Sequence, residues 1–486
     1  MQNLADLQNT KSVTAANAGS LGAATAARGE NQSLASKILV FVLCATVVLA
    51  TVLFGMVDAG TLSLFCIGAG ALGWLWLFDA WKKGELRFSS SILQLPVLGL
   101  IVVGLVQLLP FGSTGASLPG NLLGLPISRA LSLDAFATRL AVVELIAMLI
   151  YFAAALVFIN TARRLRTIAT IIIILGFAMA VVGIIQYFSG DGRALWLRES
   201  PQAVPFASFI NRHHFGALME MTLGLTLGLL CTGGINREKR ALYVFAVVVM
   251  GVALVLTSSR GALLSFFGLL MFLTIAVFFR RSKKNSADKE IASKEATVIN
   301  RLTLLGSGFG LILIIFAAVL LLGGDSSLLR GIGATGGAGD VSSGRLQFWQ
   351  TTLLIIRDFP LLGVGLNAFG VAYTRYDTMN GYFRIEQAHN DYLQVIAEAG
   401  IIGLGLILAF IFLLFRRGWQ VFSTTSDRTR RGISIGALAG CFGILIHSFF
   451  DFPLRTPSNL LTFLILAVLA TAPVTAPHFR RHKTKP

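Results

Sequence analysis

Charge is what this chain has least of: Asp, Glu, Lys and Arg make up 13% of its 486 residues, against 55% hydrophobic residues. With a mean hydropathy of +0.76, the composition lies far outside the soluble range and excludes a large soluble domain. Cysteine is nearly absent. Cys44, Cys66, Cys231 and Cys441 each fall inside an apolar run with no metal-ligand spacing, so they read as small core residues and are silent on redox compartment. There is no Walker loop, dinucleotide fingerprint or serine nucleophile elbow. The alternating ten-residue segments of a porin-type barrel are missing too. What the chain does have is apolar runs of about twenty residues, the length a helix needs to cross a bilayer.

The fold class expected is therefore all-α, a polytopic integral membrane protein of about twelve transmembrane helices. The spans fall at 37–57, 60–80, 91–110, 137–159, 167–187, 208–231, 241–258, 260–279, 302–322, 389–415, 432–450 and 457–473. Residues 1–36, polar and poor in large apolar groups, read as a disordered tail, and 474–486 as a basic tail. The net charge of +17 does not point to nucleic acid, because Lys and Arg sit in short blocks between apolar runs. With both termini cytoplasmic, 28 of the 40 fall inside, as the positive-inside rule requires. That orientation depends on splitting the run around Thr257-Ser-Ser-Arg-Gly261 into two helices, which keeps the basic blocks at 237–240 and 280–284 on one side.

Three outer segments exceed a turn: 111–136, 188–207 and, largest, 323–388. Within the last, Leu346, Trp349, Leu353 and Ile356 recur at three- and four-residue spacing after Ser342-Ser343, and Asp358-Phe-Pro360 ends the run. This predicts a capped amphipathic helix at the outer surface.

The polar residues gather at the outer mouths of the spans. His389 opens the tenth span, where a neutral ring would suit a general base and a simple interfacial hydrogen bond is the plainer alternative. Asn390 and Asp391 follow it as natural first-turn residues. Arg260 stands directly before eighteen apolar residues, a costly place for an arginine. Arg212 occupies the mouth of the sixth span, and Arg345 starts the amphipathic helix. Three guanidinium groups on one surface could hold a diphosphate through forked hydrogen bonds, or be three separate interfacial anchors. His447 and Asp451, four apart, would share a helical face and could pair if that helix continues. Glu144 and Glu220 lie within spans and are expensive if charged and unpaired. His213, His214 and His389 make no recognisable metal motif, so no metal or cofactor is expected.

The order of Asn211-Arg-His-His-Phe215, Ser258-Ser-Arg-Gly261, Ser343-Gly-Arg345 with Trp349, Leu361-Leu-Gly-Val-Gly-Leu-Asn-Ala-Phe369, His389-Asn-Asp-Tyr-Leu393 with Glu398-Ala-Gly400, and His447-Ser-Phe-Phe-Asp451 is informative. In it the chain resembles the O-antigen ligase and O-antigen polymerase superfamily of bacterial membrane glycosyltransferases, most densely over about 205–455. The resemblance implies an inner-membrane enzyme with a glycosyltransferase domain over 37–473 and its active site facing the periplasm. Its donor would be a polyprenyl-diphosphate-linked glycan, and its acceptor a hydroxyl on another glycan, lipid A core or a protein, without metal. It assigns His389, Arg260 and Arg345 as catalytic residues. Arg212, Asn390, Asp391, Trp349, His447 and Asp451 would bind substrate around them. A transporter or flippase of lipid-linked glycans is the competing class, although transporters usually place their polar residues near mid-membrane.

Overall fold

The computed structural model describes residues 34–111, 130–200, 203–287, 345–377 and 384–473, with a few more between 310 and 321. These residues form helices α1 (Leu34–Val52), α2 (Ala59–Lys83), α3 (Gln94–Gln107), α4 (Ala135–Phe158), α5 (Ala162–Ser189), α6 (Arg212–Cys231), α7 (Arg240–Leu256), α8 (Arg260–Ala287), α9 (Arg345–Asp358), α10 (Phe369–Tyr376), α11 (Asp391–Thr424), α12 (Arg428–His447) and α13 (Pro457–Thr471). No strand occurs among the described residues, only two isolated bridges.

Nine helices among the described residues are long and apolar enough to cross a membrane, and α3 and α13 are shorter apolar helices. The chain is an all-α integral membrane protein. The span expected at 302–322 lies largely outside the described residues, as do both tails apart from 34–36, and the capping pair Ser342-Ser343. The doubtful split is real: α7 ends at Leu256, Ser258 takes a left-handed backbone (φ 54°), and α8 starts at Arg260. The amphipathic helix expected within 323–388 is α9.

At the centre stand α6 and α12, the most deeply enclosed of the spans. Both are rich in small residues, and the reason is backbone contact. A methyl group on Gly228 would lie 2.3 Å from the Gly436 Cα, and one on Gly224 would lie 2.4 Å from the Gly440 nitrogen. Glycines at four-residue spacing on two facing helices let the backbones touch, which is how membrane helices gain packing energy when lipid is as apolar as the side chains. Large apolar residues such as Phe41, Trp74 and Trp81 point outward from peripheral helices. Some arginines of the basic blocks serve structure. The buried Arg430 donates to the carbonyls of Leu469 (2.8 Å) and Ala472 (2.7 Å), satisfying the open C-terminal end of α13.

The long helix α11 breaks once, at Gly400 (φ 63°, ψ −166°). The segment 360–366 fills the break: Val364 N donates to Ala397 O (2.9 Å), Gly365 N to Glu398 O (3.1 Å), and Ile401 N to Pro360 O (2.9 Å). Only glycine fits here, since a methyl on Gly400 would lie 2.0 Å from the Leu361 oxygen. Gln107 bolts the same point, donating to Leu362 O (2.6 Å) and Glu398 O (2.7 Å) while accepting from Leu366 N (2.9 Å). The Glu398 carboxylate accepts from Gln394 and Asn367 and pairs with Arg455. Above this break a small second core, with Ile355, Val364, Phe369, Tyr373 and Ala397, joins α9 and α10 to the start of α11.

Candidate active site

Where α11 begins, the chain is held tightly before it turns helical. The Asn390 side chain is the N-cap, accepting from Tyr392 N (3.0 Å) and Leu393 N (3.1 Å). His389 therefore precedes the helix rather than opening it, with a left-handed backbone (φ 51°) that a β-carbon normally avoids. Its neighbours hold that conformation. Trp349 of α9 donates its indole N–H to Ala388 O (3.1 Å), and Ala388 N donates to Gln394 (2.6 Å). The imidazole stacks on Phe348, with centroids 5.9 Å apart, and meets the edge of Phe452 at 4.9 Å.

Behind the ring lies Asp451, 1% exposed, with Oδ1 at 3.3 Å from His389 Nδ1. A carboxylate at Nδ1 fixes the tautomer with the proton there and leaves Nε2 with its lone pair outward. The other carboxylate oxygen accepts from Arg345 at 3.2 Å and lies 3.9 Å from His213 Nδ1. Burial alone would push this carboxyl up, but the His389 hydrogen bond and the His213, His389 and His214 rings outweigh it and hold it below the usual carboxylate range.

The helix ends that carry the arginines are linked through the same contacts. Arg212 begins α6 beside His213, whose Nδ1 lies 2.8 Å from Ser259 Oγ, and Arg260 follows Ser259 as the exposed first residue of α8. Arg345, the first residue of α9, reaches Asp451. Three helices that each begin with arginine are thus tied at that end to Asp451, α9 through Arg345, α6 through His213, and α8 through the Ser259 contact with His213; helix N-termini of this kind favour an anion.

The remaining sequence-predicted residues have other partners. Asp391 is buried and structural, accepting from Ser448 Oγ (2.9 Å) and Leu454 N (3.3 Å). His447 and Asp451 do not pair: α12 ends at His447, the chain turns, and His447 instead faces Glu220 of α6 at 2.8 Å. Glu144 lines a cavity of about 530 Å³ between α3, α4, α11 and α13, whose rim of Gln387, Asp391 and Phe452 adjoins His389. Sequence reasoning missed His213 as a partner of Asp451, and with it the approach of His213, His447 and Asp451 donor atoms to within 4.8 Å of one another. Arg345 already places a fixed positive charge on the one carboxylate of that group. Phe348 and Phe452 were also missed, since neither lies near His389 in sequence.

A family model described as O-antigen ligase matches residues 245–408, the stretch that carries Arg260, Arg345 and His389 and stops short of Asp451. No protein of curated function matches the chain.

Proposed function

Because the chain belongs to the O-antigen ligase superfamily, whose members carry out glycan transfer of the ligase or polymerase type, we propose that it transfers a polyprenyl-diphosphate-linked glycan to an acceptor hydroxyl. The reaction takes place on the outer face of a bacterial inner membrane, with both termini cytoplasmic. The observation that carries this reading is the buried Asp451 carboxylate, which joins the His389 imidazole to Arg345 at the meeting point of the arginine-led helices. His389 Nε2 takes the proton of the acceptor hydroxyl as its oxygen bonds to the anomeric carbon. The bond from that carbon to the donor phosphate breaks on the opposite side, so configuration inverts and the polyprenyl diphosphate leaves with the bonding pair. Arg260 and Arg345, with Arg212, hold the diphosphate and stabilise the charge growing on it.

Asp451 acts on the imidazole and not on substrate, and Asn390, Asp391 and Trp349 serve by placing it. Helices α9 and α10 of the outer segment cover the donor and exclude water that would hydrolyse it. The cavity beside His389 suits an aliphatic chain: its lining is mostly apolar, and it carries the carboxylates of Glu144, Glu386, Asp391 and Glu398 against one cation, Arg455. A diphosphate therefore belongs on the arginine side of the ring.

The test is to give the purified protein a lipid-linked donor of known anomeric configuration and examine the product by NMR. Transfer with inversion is the expected result, and retention would remove His389 from the role of base. Movement of the donor across proteoliposomes with no covalent change would favour the transporter reading.

A further inference from the structure

Glu220 and His447 take no part in the chemistry above, yet both are fully enclosed in the helix bundle, at 0% and 1% exposure. Glu220 Oε1 lies 2.8 Å from His447 Nδ1. Among the described residues neither side chain has another hydrogen-bond partner, so each rests on this one contact. A carboxylate inside a membrane bundle is costly, and apolar residues of similar volume would pack there at less cost. The placement of the pair gives it a use.

Helix α6 carries His213 and Glu220, seven residues apart and so about two turns along one face. Glu220 meets His447 and His213 meets Asp451, so two carboxylate–imidazole contacts of opposite sense cross between α6 and the end of α12. The His447 ring also wedges against α8. A methyl on Gly261, the residue after Arg260, would lie 2.9 Å from its Cδ2, and one on Gly216 of α6 would lie 3.7 Å from its Cε1. The His447 carbonyl accepts from Asp451 N at 3.0 Å, so the same residue anchors the turn that presents the carboxylate. His447 thus joins, through its ring, the helices that bear Arg212 and Arg260 and, through its carbonyl, the turn that bears Asp451.

We propose that Glu220 and His447 are positioning residues for glycan transfer, their contact setting the end of α12 so that Asp451 meets both His389 and Arg345. This rests on the transferase reading, and the test separates the two. The near-isosteric Glu220→Gln variant is assayed as full-length protein with lipid-linked donor, alone and combined with Asp451→Asn. With a melting midpoint close to wild type, kcat should fall by about tenfold or more while the donor KM stays within about twofold, since the pair touches no substrate. The double variant should fall little below Asp451→Asn alone, because both changes act on one contact. A purely structural role gives losses that multiply and a lowered midpoint.

Near-normal kcat in folded Glu220→Gln, or multiplying losses, overturns the proposal. If Glu220→Gln does not fold, His447→Gln is read by the same criteria, and failure of both to fold overturns it too, as the pair would then serve the fold and not the site. Absence of transfer by the wild type defeats the transferase reading instead, whereas transfer by the wild type with unchanged Glu220→Gln defeats only the positioning role.

Discussion

Replacing Asp451 by Asn changes one buried carboxylate into an amide of the same shape and tests how the site is wired. The carboxylate holds His389 Nδ1 at 3.3 Å and Arg345 at 3.2 Å, and it accepts from Phe452 N at 2.9 Å. Where an aspartate orients a catalytic imidazole, the amide costs about 10⁴ in rate, partly by offering the ring the wrong tautomer. The contact here is longer than the ~2.8 Å of a strong charge-assisted bond, so kcat is expected to fall by about 10²–10³, or roughly 3–4 kcal/mol. Arg345 is one-quarter exposed and can regain water, so the loss of donor affinity should be smaller, within about fivefold.

The sign of the pH effect follows from the lowered carboxyl. Its contribution to stability is present above the unfolded value of ~3.9 and is lost as pH falls through the lower folded value. Wild type should therefore keep any advantage in melting midpoint over Asp451→Asn across about pH 5–8 and lose it only in acid. The assay is steady-state transfer of labelled glycan from lipid-linked donor by purified protein in detergent, with thermal melting run alongside. Transfer by Asp451→Asn within about threefold of wild type would refute the role given to Asp451.

Other perturbations read the frame around the site. Gly228→Ala drives a methyl to 2.3 Å from the Gly436 Cα, forcing α6 and α12 apart, so a loss of about 1–3 kcal/mol is expected as a lower melting midpoint in detergent. An unchanged midpoint would show that the helices do not touch there. Gly400→Ala puts a methyl 2.0 Å from the Leu361 oxygen at a φ of 63°, and loss of folded protein in membranes is expected, seen as protease sensitivity or absence on fluorescence-detected gel filtration. Trp349→Phe keeps the ring and removes the indole donor to Ala388 O; kcat should fall about tenfold with donor KM nearly constant, and the reverse pattern would assign Trp349 to donor binding.

The membrane helices were legible because one physical constraint, the thickness of hydrocarbon, fixes both the length of apolar runs and the placement of basic blocks between them. Arg260 could be singled out because an arginine beside eighteen apolar residues is costly, and Asn390 because its side chain suits a cap. What depended on backbone breaks was not legible. The four-residue spacing of His447 and Asp451 assumed a continuous helix, and the turn after His447 gives the two side chains different partners, Glu220 for His447 and His389 with Arg345 for Asp451. The break at Gly400 left only the faint trace of a glycine in an apolar run, and the chain that fills it comes from 360–366. Contacts such as Arg455 with Glu398, or His213 with Asp451, join residues far apart in sequence, and no local periodicity encodes them. The glycines of α6 and α12 recur at four-residue spacing, but only the fold shows that the two helices face each other.

On this mechanism His389 takes the acceptor's proton. Purified His389→Ala, shown to be folded by its melting curve, should be assayed for glycan transfer from a saturating lipid-linked donor beside wild type. A fall in kcat of at least about 10² with donor binding retained is the expected result, since a general base contributes about 10²–10⁴. Transfer by His389→Ala within about threefold of wild type would contradict it.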